Sequence, residues 1–166
     1  MYKRQSQDKS NRLCFNSEKF NILKNTNEAL AALKEAIELD SNNSTALHLY
    51  GSMLNQQNSL DCVSFYERSL KINNKSYLTL NALGNFYLKT NQFEKAENSY
   101  SKAIEINPKR SAKIYKNRAY IREKQNKNSD AKEDLKSYLK YFPQAPDRGI
   151  IAVSYTHLTL PTILLV

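Results

Sequence analysis

The chain has 166 residues, 40% hydrophobic and 25% charged, which is ordinary usage for one globular domain or one short repeat array. Its three Gly and four Pro are too few turn-formers for an all-β chain with many tight corners. The formal charge of +9 admits nucleic acid, an anionic membrane surface or an acidic protein as partner, while the two cysteines, Cys14 and Cys62, form neither a metal or redox spacing nor a disulfide framework.

Residues 1–9 contain no apolar run of the kind that marks a secretory signal, and they are expected to be a disordered N-terminal segment. No stretch of the chain is long and apolar enough to span a bilayer. With two unpaired thiols, the expectation is a cytoplasmic protein without a membrane partner. From Ser10 onward, small and large apolar residues recur with a period near 34, and each period reads as a pair of helices.

Residues 10–43 form the first unit. Its second helix is well patterned, with Ala29, Leu33 and Ala36 ahead of the polar run Asp40-Ser41-Asn42-Asn43. Its first helix keeps Leu13, Ser17 and Phe20 but has Asn16 where a core Leu belongs, so it is expected to be distorted or frayed. Residues 44–76 carry Leu47, Gly51, Leu54, Cys62, Tyr66 and Ser69, one residue short at the inner turn, with Cys62 read as a small buried thiol.

Residues 77–110 hold the clearest unit: Leu80, then Leu83-Gly84, Tyr87, Ala96, Tyr100, Ala103 and Pro108. Gly84, Ala96 and Ala103 are small where paired helices approach closely, and Tyr87 and Tyr100 fill the space between them. Asn91, in the Thr90-Asn91-Gln92 corner, suits a tight helix-to-helix turn, and Pro108 ends the second helix. After one extra residue, Ser111, residues 112–145 repeat the pattern with Tyr115, Ala119, Ala131, Leu135 and Pro143.

Residues 146–151 are expected to start a further, capping helix; cut short, it would leave Leu135, Leu139 and Phe142 partly uncovered. Residues 152–166 carry no charge, and the run from Val153 to Thr162 resembles a translated sequencing adapter. This tail is expected to be non-native and the protein a fragment cut near Ile151. The other readings of the tail are a strand or a short membrane anchor, which Pro161 interrupts.

The spacing in residues 77–110 resembles the tetratricopeptide repeat (TPR) family, whose 34-residue unit reads W-x2-L-G-x2-Y, then A-x3-F, then Pro. Leu80 stands for the Trp and Tyr100 for the Phe, and Asn117-Arg118-Ala119 resembles a common Asn-Arg-small variant. The resemblance implies an all-α fold, an α-α superhelix: a right-handed solenoid of about four helix-turn-helix repeats, with the first helix of each lining a concave groove. That groove would hold a partner on His48, Ser52 and Asn55, then Asn81, Asn85 and Lys89, then Lys113, Lys116, Asn117 and Tyr120. The Asn amides can both donate to and accept from the backbone of an extended peptide, and Lys113 and Lys116 suit an acidic residue. Lys113 and Asn117 match one unit of the carboxylate clamp of chaperone-binding members, but Thr45 and Leu49, and Leu78 and Ala82, depart from it.

The chain shows no Gly-rich phosphate loop, metal-ligand spacing or nucleophile elbow, so neither enzyme activity nor a cofactor is expected. His48 reads as a surface contact, and Glu35/Glu38 and Glu94/Glu97 as solvated helix faces. The leading function is a scaffold for another protein or peptide, with an acidic one favoured by the charge. The alternatives are RNA binding, for which Tyr120 is nearly the sole stacking platform, and a regulatory module of a larger enzyme.

Overall fold

Nine helices and no strand occur among the described residues, which in this computed structural model are 2–22 and 25–157, without the side chains of residues 2, 20–22 and 157. Phe20's side chain and the tail beyond His157 therefore lie outside the described residues. The chain divides into two compact units, Met1–Phe86 and Tyr87–Val166.

The first unit contains α1 (Tyr2–Ile22), α2 (Thr26–Leu39), α3 (Ser44–Gln56), α4 (Cys62–Ile72) and most of α5 (Tyr77–Lys89). Residues 2–9 do not form a disordered segment: they are helical, continuous with the rest of α1. Ser10, Cys14 and Ser17 fall at i, i+4 and i+7 and are all buried, so α1 presents a narrow stripe of small residues to its neighbours. Their hydroxyls are satisfied: Ser10 donates to the Ala36 carbonyl at 2.8 Å and Ser17 to that of Cys14 at 2.6 Å. Ser6, one turn earlier on the same face, donates to the Leu39 carbonyl at the end of α2. These bonds to α2 extend the helix into a segment whose pattern predicts no packing.

Asn43 ties this unit together. Its carbonyl oxygen accepts from the Ala46 amide at 3.0 Å and so caps α3. Its amide nitrogen donates to Ser10 Oγ at 2.8 Å and to Asn11 Oδ1 at 3.0 Å. One buried side chain thus connects the start of α3, the middle of α1 and, through the Ser10 hydroxyl, the end of α2. Around it Cys14, Ala29, Leu33, Ala36, Ala46 and Met53 form an apolar cluster.

The pair α3–α4 closes on Gly51. A Cβ there would stand 3.0 Å from Tyr66 Cε1 and 3.2 Å from the Cys62 carbonyl, so any larger residue displaces the ring or the backbone. The corner after α3 turns on Asn58, at φ 61°. Its amide bonds the Asn55 carbonyl and the next amide, of Ser59, bonds that of Leu54, the paired closure that ends a helix in a left-handed residue.

The second unit contains the end of α5, then α6 (Phe93–Ile106), α7 (Ala112–Lys124), α8 (Asn128–Tyr141) and α9 (Arg148–His157). Its corners at Asn91 and Asn126, φ 57° and 58°, repeat the Asn58 closure bond for bond. Ala96, Tyr100, Ala103, Ala119, Ala131 and Tyr138 are buried in the helix contacts. The extra residue Ser111 is fully buried as well, and both its hydroxyl, at 2.6 Å, and its amide, at 3.1 Å, donate to the Asn107 carbonyl just past the end of α6. Leu135 is not left uncovered: α9 packs on α8, Leu135 is 3% exposed, and Leu139 and Phe142 are half-buried. α9 itself continues through Ile151 into residues 152–157.

An ion-pair lattice joins α6, α7 and α8. Arg118 grips the buried Asp134 with two bonds, Nε at 2.9 Å and Nη2 at 2.6 Å, and donates a third to Ser101 at 2.8 Å. Arg122 bridges Asp134 and Glu97, each at 2.9 Å, and Lys127 closes on Glu97 at 2.8 Å. Glu97 is therefore not part of a solvated face. Its periodicity along α6 is that of a surface acid, but both carboxylate oxygens are taken by cations from outside that helix. Burial pushes its carboxyl up, yet the hydrogen bonds and charges of Lys127 and Arg122 outweigh this and hold it below its ordinary value.

Two predictions follow from this packing. Gly51→Leu should lower unfolding stability by roughly 1–3 kcal/mol in urea titration, because the added side chain overpacks the Tyr66 contact; an unchanged midpoint would mean that α3 and α4 do not approach as described. For Glu97 the folded pKa is depressed, so its stabilisation is full above its unfolded pKa and is lost as pH falls through the folded value. Glu97→Gln should cost about 1 kcal/mol at pH 7, and the gap from the wild type should close towards pH 3 in thermal melts. A gap independent of pH would assign Glu97 no role as a charge.

Candidate functional site

The outward faces of the first helices, α3, α5 and α7, carry the residues singled out from the sequence. Each unit is taken by itself. On α3, His48, Ser52 and Asn55 fall at i, i+4 and i+7 and share one face; on α5, Asn81 and Asn85 stand one turn apart. Ser52, Asn55 and Asn81 are half-buried and Asn85 is exposed.

His48 departs from the expected surface contact. Its Nδ1 pairs at 3.1 Å with the hydroxyl of Thr79, a fully buried residue of α5. That hydroxyl also bonds Ser76 at 2.8 Å, and Ser69 reaches from α4 to the Ser44 carbonyl at 2.8 Å. His48 is thus a bridge between two first helices, and burial pulls its imidazole below the ordinary value, towards the neutral form. Nearby, the Tyr66 hydroxyl is buried without a well-formed hydrogen bond. Burial pushes it up to about 12, against the opposing influence of Ser52 and Asn55.

On α7, Lys113, Asn117, Tyr120 and Lys124 fall at i, i+4, i+7 and i+11 and so form one stripe, flanked by Lys116. Lys113, Tyr120 and Lys124 are exposed, as is Lys89 at the end of α5. The Lys124 ammonium lies 5.5 Å from the centre of the Tyr120 ring. Asn117 donates to the Tyr100 hydroxyl at 3.4 Å, a weak bond to a phenol that burial raises to about 12.

Lys116 is already engaged. Its ammonium meets Asp147 at 2.7 Å, and the Tyr138 hydroxyl donates to the other carboxylate oxygen at 2.6 Å. Those two hydrogen bonds, Lys116 first, hold the Asp147 carboxyl below its ordinary value. A cleft of about 290 Å³ opens here, bounded by Lys116, Asn117, Tyr120 and Glu123 of α7, Leu135 of α8, and Ile151 and Ser154 of α9.

Three participants were missed in the sequence: Asn43, Asp147 and the Arg118–Asp134 pair. Only the last left a trace, in Arg118 and Arg122 one turn apart on α7 facing Asp130 and Asp134 one turn apart on α8. Among the described residues, no group of His, Cys, Asp and Glu could hold a metal ion, and no helix is long and apolar enough to cross a membrane.

Family models for the tetratricopeptide repeat match residues 77–110 and 21–43. Among solved structures, one from the functional characterization of Pseudomonas aeruginosa pilF aligns at a TM-score of 0.81 with 17% identity, covering 93% of this chain and 69% of that one. MamA from Desulfovibrio magneticus RS-1 aligns at 0.74 with 18% identity, covering 92% of this chain and 94% of that one. Naa15/Naa10 bound to HypK-THB aligns at 0.72 with 20% identity, covering 90% of this chain but 23% of that one. At these identities the likeness is one of fold: an all-α helical-repeat solenoid. No curated protein matches the sequence.

Proposed function

We propose that this tetratricopeptide-repeat protein holds extended segments of another protein on the outward faces of its first helices, each unit taken by itself. That such repeats serve as protein–protein interaction scaffolds is the general property of the family; the segment and the face are our reading. The observation that carries it is the chemistry of those faces. α3, α5 and α7 each present uncharged amides or hydroxyls, Ser52 and Asn55, Asn81 and Asn85, Asn117 and Tyr120, none of them fully buried. Amides that both donate and accept can follow a peptide backbone without demanding one sequence. The reading assigns no reaction to the chain.

Selection from a displayed random-peptide library on the full chain tests this. Recovered peptides should bind about ten-fold more weakly to Asn85→Asp or to Tyr120→Ala, according to the unit that holds them, a loss of about 1.4 kcal/mol, with the helical circular-dichroism signal unchanged. Peptides indifferent to both changes would place the binding surface elsewhere, and recovery of none would count against a peptide scaffold.

A further inference from the structure

The positive charge is not shared evenly. Residues 87–166 contain fifteen Lys and Arg against eight Asp and Glu, so the second unit carries +7 of the chain's +9. The fold then sorts those cations. Arg118, Arg122 and Lys127 are drawn into the lattice with Glu97 and Asp134, and Lys116 into the pair with Asp147. On α7 the fully exposed charge is left to Lys113 and Lys124, at the two ends of the stripe centred on Tyr120, with Glu123 half-buried beside Lys124. They are eleven residues apart, about 16 Å along a helix, a distance an extended chain covers in about five residues.

We propose that this face of α7 takes an acidic stretch of a partner protein, with carboxylates at Lys113 and Lys124 and the intervening chain against Tyr120, and that Asp147 is a resident competitor that occupies a third carboxylate position, at Lys116. The proposal rests on the scaffold reading above and names the partner's chemistry. Asp147 shows what the face accepts: a carboxylate seated on a lysine of this helix at 2.7 Å. Nucleic acid suits it less well. The guanidinium groups of Arg118 and Arg122, the forks best matched to phosphate, are bound to carboxylates, and one face of the Tyr120 ring is covered by Lys124.

Fluorescence anisotropy with a labelled deca-glutamate peptide and a labelled oligouridine of ten nucleotides, on the full chain, decides the matter. The peptide should bind, more weakly as salt rises, and Lys113→Glu and Lys124→Glu should each weaken it about ten-fold. Lys102→Glu on α6 and Lys136→Glu on α8, equal charge changes at exposed positions, should alter it less than two-fold. Asp147→Asn keeps the shape and should tighten binding at least three-fold, a gain that Lys116→Met abolishes in the double variant. Lys116→Met alone should leave binding as it is.

Equal losses at all four lysine positions would reduce the effect to bulk charge and overturn the site. Oligouridine binding with the same lysine dependence, and no peptide binding, would make the face a nucleic-acid surface. A loss from Lys116→Met alone as large as that from Lys113→Glu would show Lys116 to be free, and the competitor role would fall. If library-selected peptides bind but are not acidic, this assignment fails while the scaffold reading stands.

Discussion

Everything else in each helix pair depends on how closely its two helices can approach. Gly51 shows the constraint most directly: the Tyr66 ring and the Cys62 carbonyl occupy the space a side chain would need. Tyr66 is then fully buried, and a large planar side chain seals a gap that only a missing side chain opens. Ala96, Ala103, Ala119 and Ala131, all without solvent exposure, keep the second unit's contacts equally thin, with Tyr100 and Tyr138 buried in the same core. Closeness of this kind leaves little room for water, so polar groups inside are paired within the protein, the Tyr66 hydroxyl being an exception.

The two units meet that demand differently. In the first, neutral groups suffice: a chain of hydrogen bonds runs from the Asn43 amide through the Ser10 hydroxyl to the Ala36 carbonyl. In the second, the same task falls to full charges, and Asp134, 2% exposed, survives only because Arg118 and Arg122 share it. A buried ion pair of this sort contributes little net stability over an apolar pair of equal volume, since desolvation offsets most of the attraction. Its geometry is demanding, however, and the forked bond from Arg118 admits one rotation of α7 against α8. That rotation sets which residues of α7 face outward.

The repeat was legible in the sequence wherever a position is defined by size. Gly51 must be small, Ala96 and Ala119 are small and without exposure, Tyr66 and Tyr100 are large and buried, and residue size is written in the chain. The left-handed corner at Asn91 was legible too, and Asn58 and Asn126 obey the same rule. α1 was misread because its buried stripe is Ser10, Cys14 and Ser17; hydroxyls count as surface in a hydrophobic pattern, and carbonyls make these interior, that of Ala36 in α2 for Ser10 and that of Cys14 in α1 itself for Ser17. Glu97 was misread, and the partner of Lys116 missed, for a related reason. Their partners lie 25 and 31 residues away, and no spacing rule along one helix reveals a pairing made between helices.

The charge of the binding face is therefore a remainder. A lysine or arginine turned inward must bring an acid with it, so packing consumes cations and anions together and leaves the surplus outside. In the second unit fifteen basic residues compete for eight acids, and the fold spends three of those acids, Glu97, Asp134 and Asp147, on groups of α7 or its neighbours. What remains exposed along α7 is Lys113, Tyr120 and Lys124. Asp147 marks the margin of this sorting: at 24% exposure it is neither interior nor free, and the Tyr138 hydroxyl holds it against Lys116. A group in that position does two things at once. It fastens the start of α9, and its charge offsets that of one lysine of the face.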